Sequence, residues 1–142
     1  MKRAIVLDTA GFLARIQLHI YGVELYTVPR VVEEVKDATS VEGLEISQLI
    51  ERVAVVEPRR EFVDRVKMLA QQVGSMHKLS STDIDVAALA LQLKSEGYEV
   101  TVVTDDYTLQ NLLAHLGIKF MAIKYRGISE IRVFRIRKPS QA

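Results

Sequence analysis

Short apolar runs alternate with stretches of helical periodicity along the chain. Five of these runs have the length and composition of buried parallel strands; they cover residues 4–7, 25–28, 53–56, 100–103 and 120–123. Between them, apolar residues recur every three or four positions, which is typical of helices packed on a core. The predicted helices cover residues 12–20, 29–37, 61–73, 80–97 and 109–116. This alternation predicts an α/β fold with a mostly parallel sheet that helices cover on both faces.

Local signals support several of these boundaries. Pro29 is well placed as the first residue of its helix. The stretch Ser80-Ser81-Thr82-Asp83 offers two overlapping capping options for the next long helix. Residues 86–93 of that helix are apolar almost all round, which predicts a helix packed between the sheet and its neighbours.

The C-terminal segment differs from the rest of the chain in charge. Residues 119–142 contain seven basic residues and one acidic residue, a net charge of +6, whereas the first 118 residues carry −5. Residues 131–137 alternate apolar and basic, which predicts a strand with one positive face. A solvated tail is one interpretation, and a patch that binds a polyanion is the other. The candidate residues for binding a nucleic-acid backbone are Lys124, Arg126, Arg132, Arg135, Arg137 and Lys138.

Length and composition narrow the possible classes of protein. We expect residues 1–142 to form a single domain, with a basic strand or tail at about 119–142. The absence of cysteine excludes disulfides, thiolate catalysis and cysteine-ligated zinc within this sequence. We find no run of about 18 apolar residues and no leader, so we expect a cytoplasmic protein without a membrane partner.

Carboxylates recur where strands end and helices begin. They are Asp8 after the first strand, the pair Glu33-Glu34 in the second helix, Asp83 at a helix start, and Asp105-Asp106 after the fourth strand. Each alone has an ordinary explanation as a cap, a turn or an exposed face. Together, without cysteine or a neighbouring histidine, they suit the hard cations Mg²⁺ and Mn²⁺. Such ions would relieve the repulsion among the acids and, beside a phosphodiester, activate a water.

Other uses of these acids fit less well. A haloacid-dehalogenase-like phosphatase needs an aspartate two residues after Asp8, where Ala10 stands. A response-regulator receiver needs adjacent acids at the end of the first strand, and Leu7 precedes Asp8. No glycine-rich phosphate loop or dinucleotide-binding fingerprint is present.

Four stretches combine these acids with small and β-branched neighbours: Leu7-Asp8-Thr9-Ala10-Gly11, Pro29-x-Val31-Val32-x-Glu34, Asp83-x-x-x-Ala87-Ala88 and Thr104-x-Asp106-Tyr107. Together they resemble the PIN domain, a family of metal-dependent ribonucleases. The stretches Leu79-Ser80-Ser81-Thr82-Asp83 and Thr104-Asp105-Asp106-Tyr107 are similar, more narrowly, to the Nin-one-binding endonuclease, which matures the 3′ end of small-subunit ribosomal RNA. The resemblance implies a three-layer α/β/α sandwich and a hydrolase that acts on pre-ribosomal RNA or particles, with assembly-factor proteins as further partners.

The resemblance also assigns roles to residues. The family's acids correspond to Asp8, Glu34, Asp83 and Asp106, with Asp105 kept as a candidate because it also lies at the strand end. These five residues are the expected catalytic and metal-binding set. We expect Thr9 and Thr104 to orient the carboxylates through hydrogen bonds. Glu33 and Asp85 match no motif acid, so we expect them to be solvated or structural.

One feature of the Nin-one-binding family is missing from this sequence. That family carries a cysteine-rich zinc ribbon after its PIN domain, so we expect either a relative without the ribbon or a chain that ends before it, and no zinc. VapC-type toxin ribonucleases share the acids but are usually compact, and the long segment 37–78 favours the ribosomal relatives. A PIN-like module that binds RNA or pre-ribosomes without cutting is the remaining alternative.

Overall fold

A six-stranded sheet forms the centre of the fold. The computed structural model describes residues 2–18, 20–38, 50–126 and 130–135. The strands are β1 (Arg3–Leu7), β2 (Glu24–Thr27), β3 (Val53–Val55), β4 (Glu99–Val103), β5 (Lys119–Arg126) and β6 (Glu130–Arg135). They lie in the order β3-β2-β1-β4-β5-β6, and only the β5–β6 pair is antiparallel. The mostly parallel sheet is therefore confirmed.

Five α-helices lie between these strands in the described residues. They are α1 (Thr9–Leu13), α2 (Pro29–Ala38), α3 (Arg60–Gln72), α4 (Ser81–Ser95) and α5 (Tyr107–His115). Right-handed crossovers place α1 and α2 on one face, because β1, β2 and β3 advance in one direction, and α3 to α5 on the other. The observed packing agrees, since α1 contacts α2 while α4 contacts α3 and α5. The predicted α/β fold is confirmed.

Helix α4 is the central helix of its layer. Every residue from Ile84 to Leu93 is buried. Small side chains at Ala87, Ala88 and Ala90 let the helix lie close to β1 and β4, which it contacts along with α3. The prediction that this helix packs between the sheet and its neighbours is therefore confirmed.

The prediction of one continuous helix over residues 12–20 is wrong. Helix α1 ends at Leu13, and only a short 3₁₀ turn, Ile16–Leu18, follows it. The helix breaks because Arg15 adopts a positive φ of 58°, a left-handed conformation that an α-helix does not accommodate. The apolar periodicity still marks the core, since Phe12 and Ile16 are fully buried.

The topology creates a switch point between β1 and β4. From β1 the chain proceeds to β2 and β3 on one side, whereas β4 and β5 lie on the other side. Connections that leave two neighbouring strands in opposite directions open a crevice at their carboxyl ends, which is where α/β proteins of this kind bind ligands. Asp8 follows β1 directly, and Thr104, Asp105 and Asp106 follow β4.

A buried hydroxyl extends the link between β1 and β2 at this edge. Thr27 Oγ1 donates to the Leu7 carbonyl oxygen at 2.7 Å, and Thr27 is fully buried. We expect Thr27→Val to lower the free energy of unfolding by about 1–3 kcal/mol, because a buried acceptor loses its donor. Urea denaturation followed by circular dichroism measures this. Thr101→Val on β4 is the matched control, since Thr101 is partly exposed. Equal effects of the two changes would contradict the assignment.

Candidate active site

Asp8 lies at the switch point and is anchored from both sides. It caps α1, with its side chain accepting a hydrogen bond from the Gly11 amide at 2.8 Å. Its own backbone N–H donates to the Val103 carbonyl oxygen at 3.3 Å, and its carboxylate also bonds the Thr104 side chain. A Cβ at Gly11 would come within 3.3 Å of Val103 Cγ1 and of the Val103 carbonyl oxygen. Glycine therefore allows α1 to approach the end of β4.

The two acids after β4 are held by different parts of the fold. Asp105 Oδ1 accepts the Ile123 amide of β5 at 2.7 Å. Asp106 caps α5, with its Oδ1 accepting the amides of Thr108 at 2.8 Å and Leu109 at 3.1 Å. Both carboxylates are exposed, so both reach the solvent at the switch-point edge.

Asp83 and Glu34 approach from two other helices. Asp83 is the third residue of α4 and forms a capping box with Ser80, in which each side chain accepts the other's amide at 3.0 Å. Glu34 of α2 is held at both oxygens: Oε1 accepts from Thr9 Oγ1 at 2.5 Å, and Oε2 accepts from Thr82 Oγ1 at 2.6 Å. The Glu34 carboxylate thus joins the first turns of α1 and α4.

Electrostatic coupling shows which acids are neighbours. The pKa of Asp8 is raised from 3.8 to about 6, chiefly by burial. The nearby carboxylates of Asp105 and Asp83 contribute to this rise, and the hydrogen bonds of the Asp8 carboxylate oppose it. Burial likewise raises the pKa of Asp83, which also experiences repulsion from Asp106 and Glu34. The structure therefore brings all five predicted acids into one mutually repelling cluster.

Among the side chains described in residues 2–18, 20–38 and 50–123, no Lys or Arg forms an ion pair with an acid of the cluster. The ion pairs among those residues involve other acids: Arg30–Asp85, Arg59–Glu61, Arg60–Asp64 and Lys119–Glu99. Asp85 is buried against Arg30, which makes it structural as expected, and Glu33 is exposed. The donors observed at this edge are hydroxyls and backbone amides, which partly offset the repulsion among the acids.

The acids do not form a closed cage. Among the described residues, no three Asp, Glu or His side chains are grouped closely enough to hold one ion. This arrangement fits Mg²⁺, which keeps several waters and is usually bound by one or two carboxylates together with substrate phosphates. It does not fit a site that encloses its ion with protein ligands alone.

The predicted RNA-binding residues lie partly within the described structure. Lys124 and Arg126 belong to β5, and Arg132 and Arg135 belong to β6. In the antiparallel ladder Lys124 is paired with Arg132. Arg137 and Lys138 lie outside the described residues. The described part of the basic segment is therefore the strand pair β5–β6, which ends the strand order on the side beyond β4.

Sequence reasoning missed Thr82. Its hydroxyl is the second donor to Glu34, and its side chain is buried. The available signal was its position directly before Asp83 at the start of α4. A hydroxyl at that position can donate a hydrogen bond to a carboxylate of the same cluster. The partner could not be read from the sequence, because Thr82 and Glu34 are 48 residues apart.

A comparison with protein-family models gives a match to the PIN domain of ribonuclease over residues 5–93. The match spans more than half of the chain and includes Asp8, Glu34 and Asp83. The chain belongs to the PIN domain family of ribonucleases. PIN-domain ribonucleases use divalent metal ions, which agrees with the acid cluster.

Similar PIN proteins carry two kinds of name. Ribonuclease VapC3 of Aeropyrum pernix is 43% identical over 126 residues, covering 89% of this chain and 90% of that protein. Endoribonuclease Nob1 of Pyrococcus abyssi is 40% identical over 131 residues, covering 92% of this chain and 74% of that protein. Endoribonuclease Nob1 of Archaeoglobus fulgidus is 44% identical over 75% of this chain and 61% of its own length. Both names denote ribonucleases, so the chain is similar to nucleic-acid hydrolases.

A solved structure supports the fold. The PIN domain endonuclease Utp24 superposes with a TM-score of 0.55 and 15% identity, covering 94% of this chain and 92% of the solved one. At that identity the similarity concerns the fold alone. None of the helices that the structure describes has the length and apolar character needed to cross a bilayer.

The buried Asp8 gives the PIN domain a pH-dependent stability. An unfolded Asp8 ionises near pH 3.8, whereas the folded one keeps its proton up to about pH 6. The free energy of unfolding should therefore fall as the pH rises from about 4 to about 6, and it should stay at its lower value at higher pH. We expect the stability of Asp8→Asn relative to the parent to increase by about 2–3 kcal/mol between pH 4 and pH 8.

Urea denaturation in EDTA at a series of pH values measures this difference. Asp64→Asn on the exposed surface of α3 is the control for the loss of one carboxylate. A difference between Asp8→Asn and the parent that does not change with pH would show that Asp8 is not destabilised by ionisation. Adding Mn²⁺ at pH 8 should stabilise the parent more than Asp8→Asn, since a ligand of the folded state raises its stability.

Proposed function

We propose that this PIN domain is a Mg²⁺- or Mn²⁺-dependent endoribonuclease that hydrolyses RNA phosphodiesters. The observation that carries the proposal is the convergence of Asp8, Glu34, Asp83, Asp105 and Asp106 at one sheet edge. These acids come from four separate parts of the chain and gain no packing energy by meeting. Repulsion among them is costly, and a divalent cation would offset it.

The donor set fits a hard divalent ion. All candidate ligands are carboxylate oxygens, which Mg²⁺ and Mn²⁺ prefer. Asp8, Asp83, Asp105, Asp106 and Glu34 would hold the ions. When bound, such an ion supplies stabilisation of the charge that develops on the phosphoryl oxygens and the leaving oxygen.

The chain's own residues prepare this site by fixing the carboxylates. Thr104 bonds the Asp8 carboxylate and accepts the Asp106 amide at 3.1 Å, so one threonine positions both acids. Thr9 and Thr82 occupy one oxygen of Glu34 each and limit its rotation. Outer hydrogen-bonding partners of this kind orient metal ligands. Thr82 thereby joins Thr9 and Thr104 as a proposed positioning residue.

The basic strand pair gives the RNA a second contact. Neighbouring strands lie about 4.8 Å apart, so β6 runs roughly 10 Å from β4 and its two acids. Lys124, Arg126, Arg132 and Arg135 lie on β5 and β6, and Arg137 and Lys138 follow in the sequence. We propose that these residues bind phosphates that flank the cleaved bond, since an acidic site repels the RNA backbone in the absence of its cations.

We further propose that the substrate is the precursor of small-subunit ribosomal RNA, cut at its 3′ end. The similarity to archaeal proteins named Endoribonuclease Nob1 at 40% and 44% identity supports this. A relative in Schizosaccharomyces pombe named 20S-pre-rRNA D-site endonuclease is 39% identical over 65% of this chain. That alignment covers 24% of the fission-yeast protein. The substrate named for the fission-yeast protein is therefore proposed, by similarity, for this chain.

A toxin ribonuclease is the second candidate, favoured by the relative named VapC3. The length of segment 37–78 does not discriminate between the two, because that relative aligns with 89% of this chain. Growth arrest on expression, rescued by the product of a neighbouring gene, would favour the toxin. Selective cleavage of an RNA that spans the 3′ end of small-subunit ribosomal RNA, over unrelated single strands, would favour the processing enzyme.

The adjacent glutamates of α2 allow a matched test of the site. We expect Glu34→Gln to lower the rate of RNA cleavage by at least about 100-fold, whereas Glu33→Gln leaves it near the parent value, because only Glu34 contacts Thr9 and Thr82. Cleavage of a labelled single-stranded RNA is measured with Mn²⁺, with Mg²⁺ and with EDTA. Equal cleavage by the two variants, or cleavage that EDTA leaves unchanged, would refute the metal site.

The threonines that hold Glu34 should matter less than the carboxylate itself. We expect Thr82→Val to reduce cleavage about tenfold and to raise the Mn²⁺ concentration needed for half-maximal rate, because Glu34 loses one of its two donors. A metal titration of the cleavage rate separates this from a loss of folded protein, which would lower the maximal rate at unchanged metal dependence. Thr82→Ser keeps the donor and should restore the metal dependence of the parent.

A further inference from the structure

Among the residues whose side-chain exposure the structure describes, Tyr107 is the most exposed large hydrophobic residue. It is 86% exposed, and the others are Tyr21 at 72%, Met68 at 61%, Leu13 at 41% and Val55 at 39%. A single exposed apolar residue is ordinary on a protein surface. Tyr107 differs in its place, because it directly follows Asp105 and Asp106 at the carboxyl end of β4.

The fold gains little from the ring of Tyr107. An aromatic side chain that remains in water contributes little of the hydrophobic stabilisation that burial provides. Within the described residues the ring forms no hydrogen bond, ion pair or ring contact. Its backbone position is nevertheless well fixed, because Tyr107 is the first residue of α5, whose start the Asp106 carboxylate caps through Thr108 and Leu109.

We propose that Tyr107 is a stacking residue that binds one base of a single-stranded RNA beside the acid cluster. This inference rests on the proposed endoribonuclease function and identifies the form of RNA that the site takes. A base stacks on an aromatic ring whatever its identity, so Tyr107 would position the strand without reading its sequence. In a duplex the faces of the bases are covered by neighbouring bases, so the tyrosine ring cannot stack on them. The site would therefore select unpaired RNA.

Stacking also suits the electrostatics of this edge. The carboxylates of Asp8, Asp83, Asp105 and Asp106 repel phosphates until cations neutralise them. The interaction between a base and a tyrosine ring is uncharged and does not depend on those cations. Tyr107 would therefore hold the nucleotide next to the acids, while the phosphates are held by ions and by basic residues.

Fluorescence offers a direct readout, because the chain contains no tryptophan. Tyr107→Trp introduces a single reporter at the proposed position. We expect its emission to be quenched when a 12-nucleotide oligo(A) RNA is added with Mg²⁺ in an Asp8→Asn background that prevents cleavage. Tyr21→Trp is the matched control, since Tyr21 is also exposed. Tyr21 precedes β2 and therefore lies where the strands begin, whereas the acid cluster lies where they end. The emission of Tyr21→Trp should not change.

Truncation of the ring tests the contribution to affinity. We expect Tyr107→Ala, in the same background, to weaken binding of the oligo(A) RNA about 5- to 100-fold, and Tyr107→Phe to retain the affinity, because stacking does not require the hydroxyl. Urea denaturation should show that Tyr107→Ala unfolds as the parent does, since the ring is exposed. The duplex formed by oligo(A) and oligo(U) should bind less tightly than the single strand and show no loss on Tyr107→Ala.

The possible outcomes separate this inference from the proposed nuclease. An unquenched tryptophan at 107, unchanged affinity in Tyr107→Ala, equal binding of single strand and duplex, or no RNA binding would each overturn the stacking role, whether or not the parent cleaves RNA. Binding that depends on Tyr107, in a parent that does not cleave RNA with Mg²⁺ or Mn²⁺, would support the stacking role and refute the nuclease. Dependence on Tyr107 in both binding and cleavage at low RNA concentration would support both.

Discussion

The pairing of β1 with β4 is the contact on which the rest of the structure depends. The two strands match residue by residue from Arg3 opposite Glu99 to Leu7 opposite Val103. Because the pair is parallel, both strands end at the same edge, and Asp8 bonds both Val103 and the Thr104 side chain. Helix α4 packs on the same two strands. A shift of this register by one residue would reverse the faces of β1 and separate Asp8 from Thr104.

Around this pair the protein assembles charges that repel one another. Hydroxyls and backbone amides surround these carboxylates and donate hydrogen bonds to them. This arrangement keeps the carboxylates oriented, and the divalent cation that we propose would offset their charge. Several of the same bonds also cap helices, as at Asp8, Asp83 and Asp106. The cost of gathering the acids is therefore partly offset by the helix starts that they stabilise.

Most of the fold was accessible to sequence reasoning because its signals are local. Buried strands read as short apolar runs, Pro29 marked a helix start, and Ser80 with Asp83 formed the expected capping box. The exception was the segment after α1, where the apolar periodicity continued but the helix ended because Arg15 adopts a left-handed backbone conformation. Burial there follows the sequence pattern, whereas helix continuity depends on how the chain must turn to reach β2. The single-sequence pattern carries no signal for that constraint.

The sequence by itself identified the residues that we propose to carry the chemistry and the positions they occupy in their strands and helices. Asp8, Asp83 and Asp106 follow from strand ends and helix caps, which are set by neighbours within a few residues. Only the tertiary structure decided how they meet, because Thr82 and Glu34, or Asp105 and the Ile123 amide, are far apart in the chain and come together through sheet order and helix packing. It also separated the roles of Asp105 and Asp106. The first is tied to β5 and coupled to Asp8, and the second caps α5 and is coupled to Asp83. Spacing along a strand cannot distinguish these two positions, since the distinction lies in which neighbouring element supplies the donors.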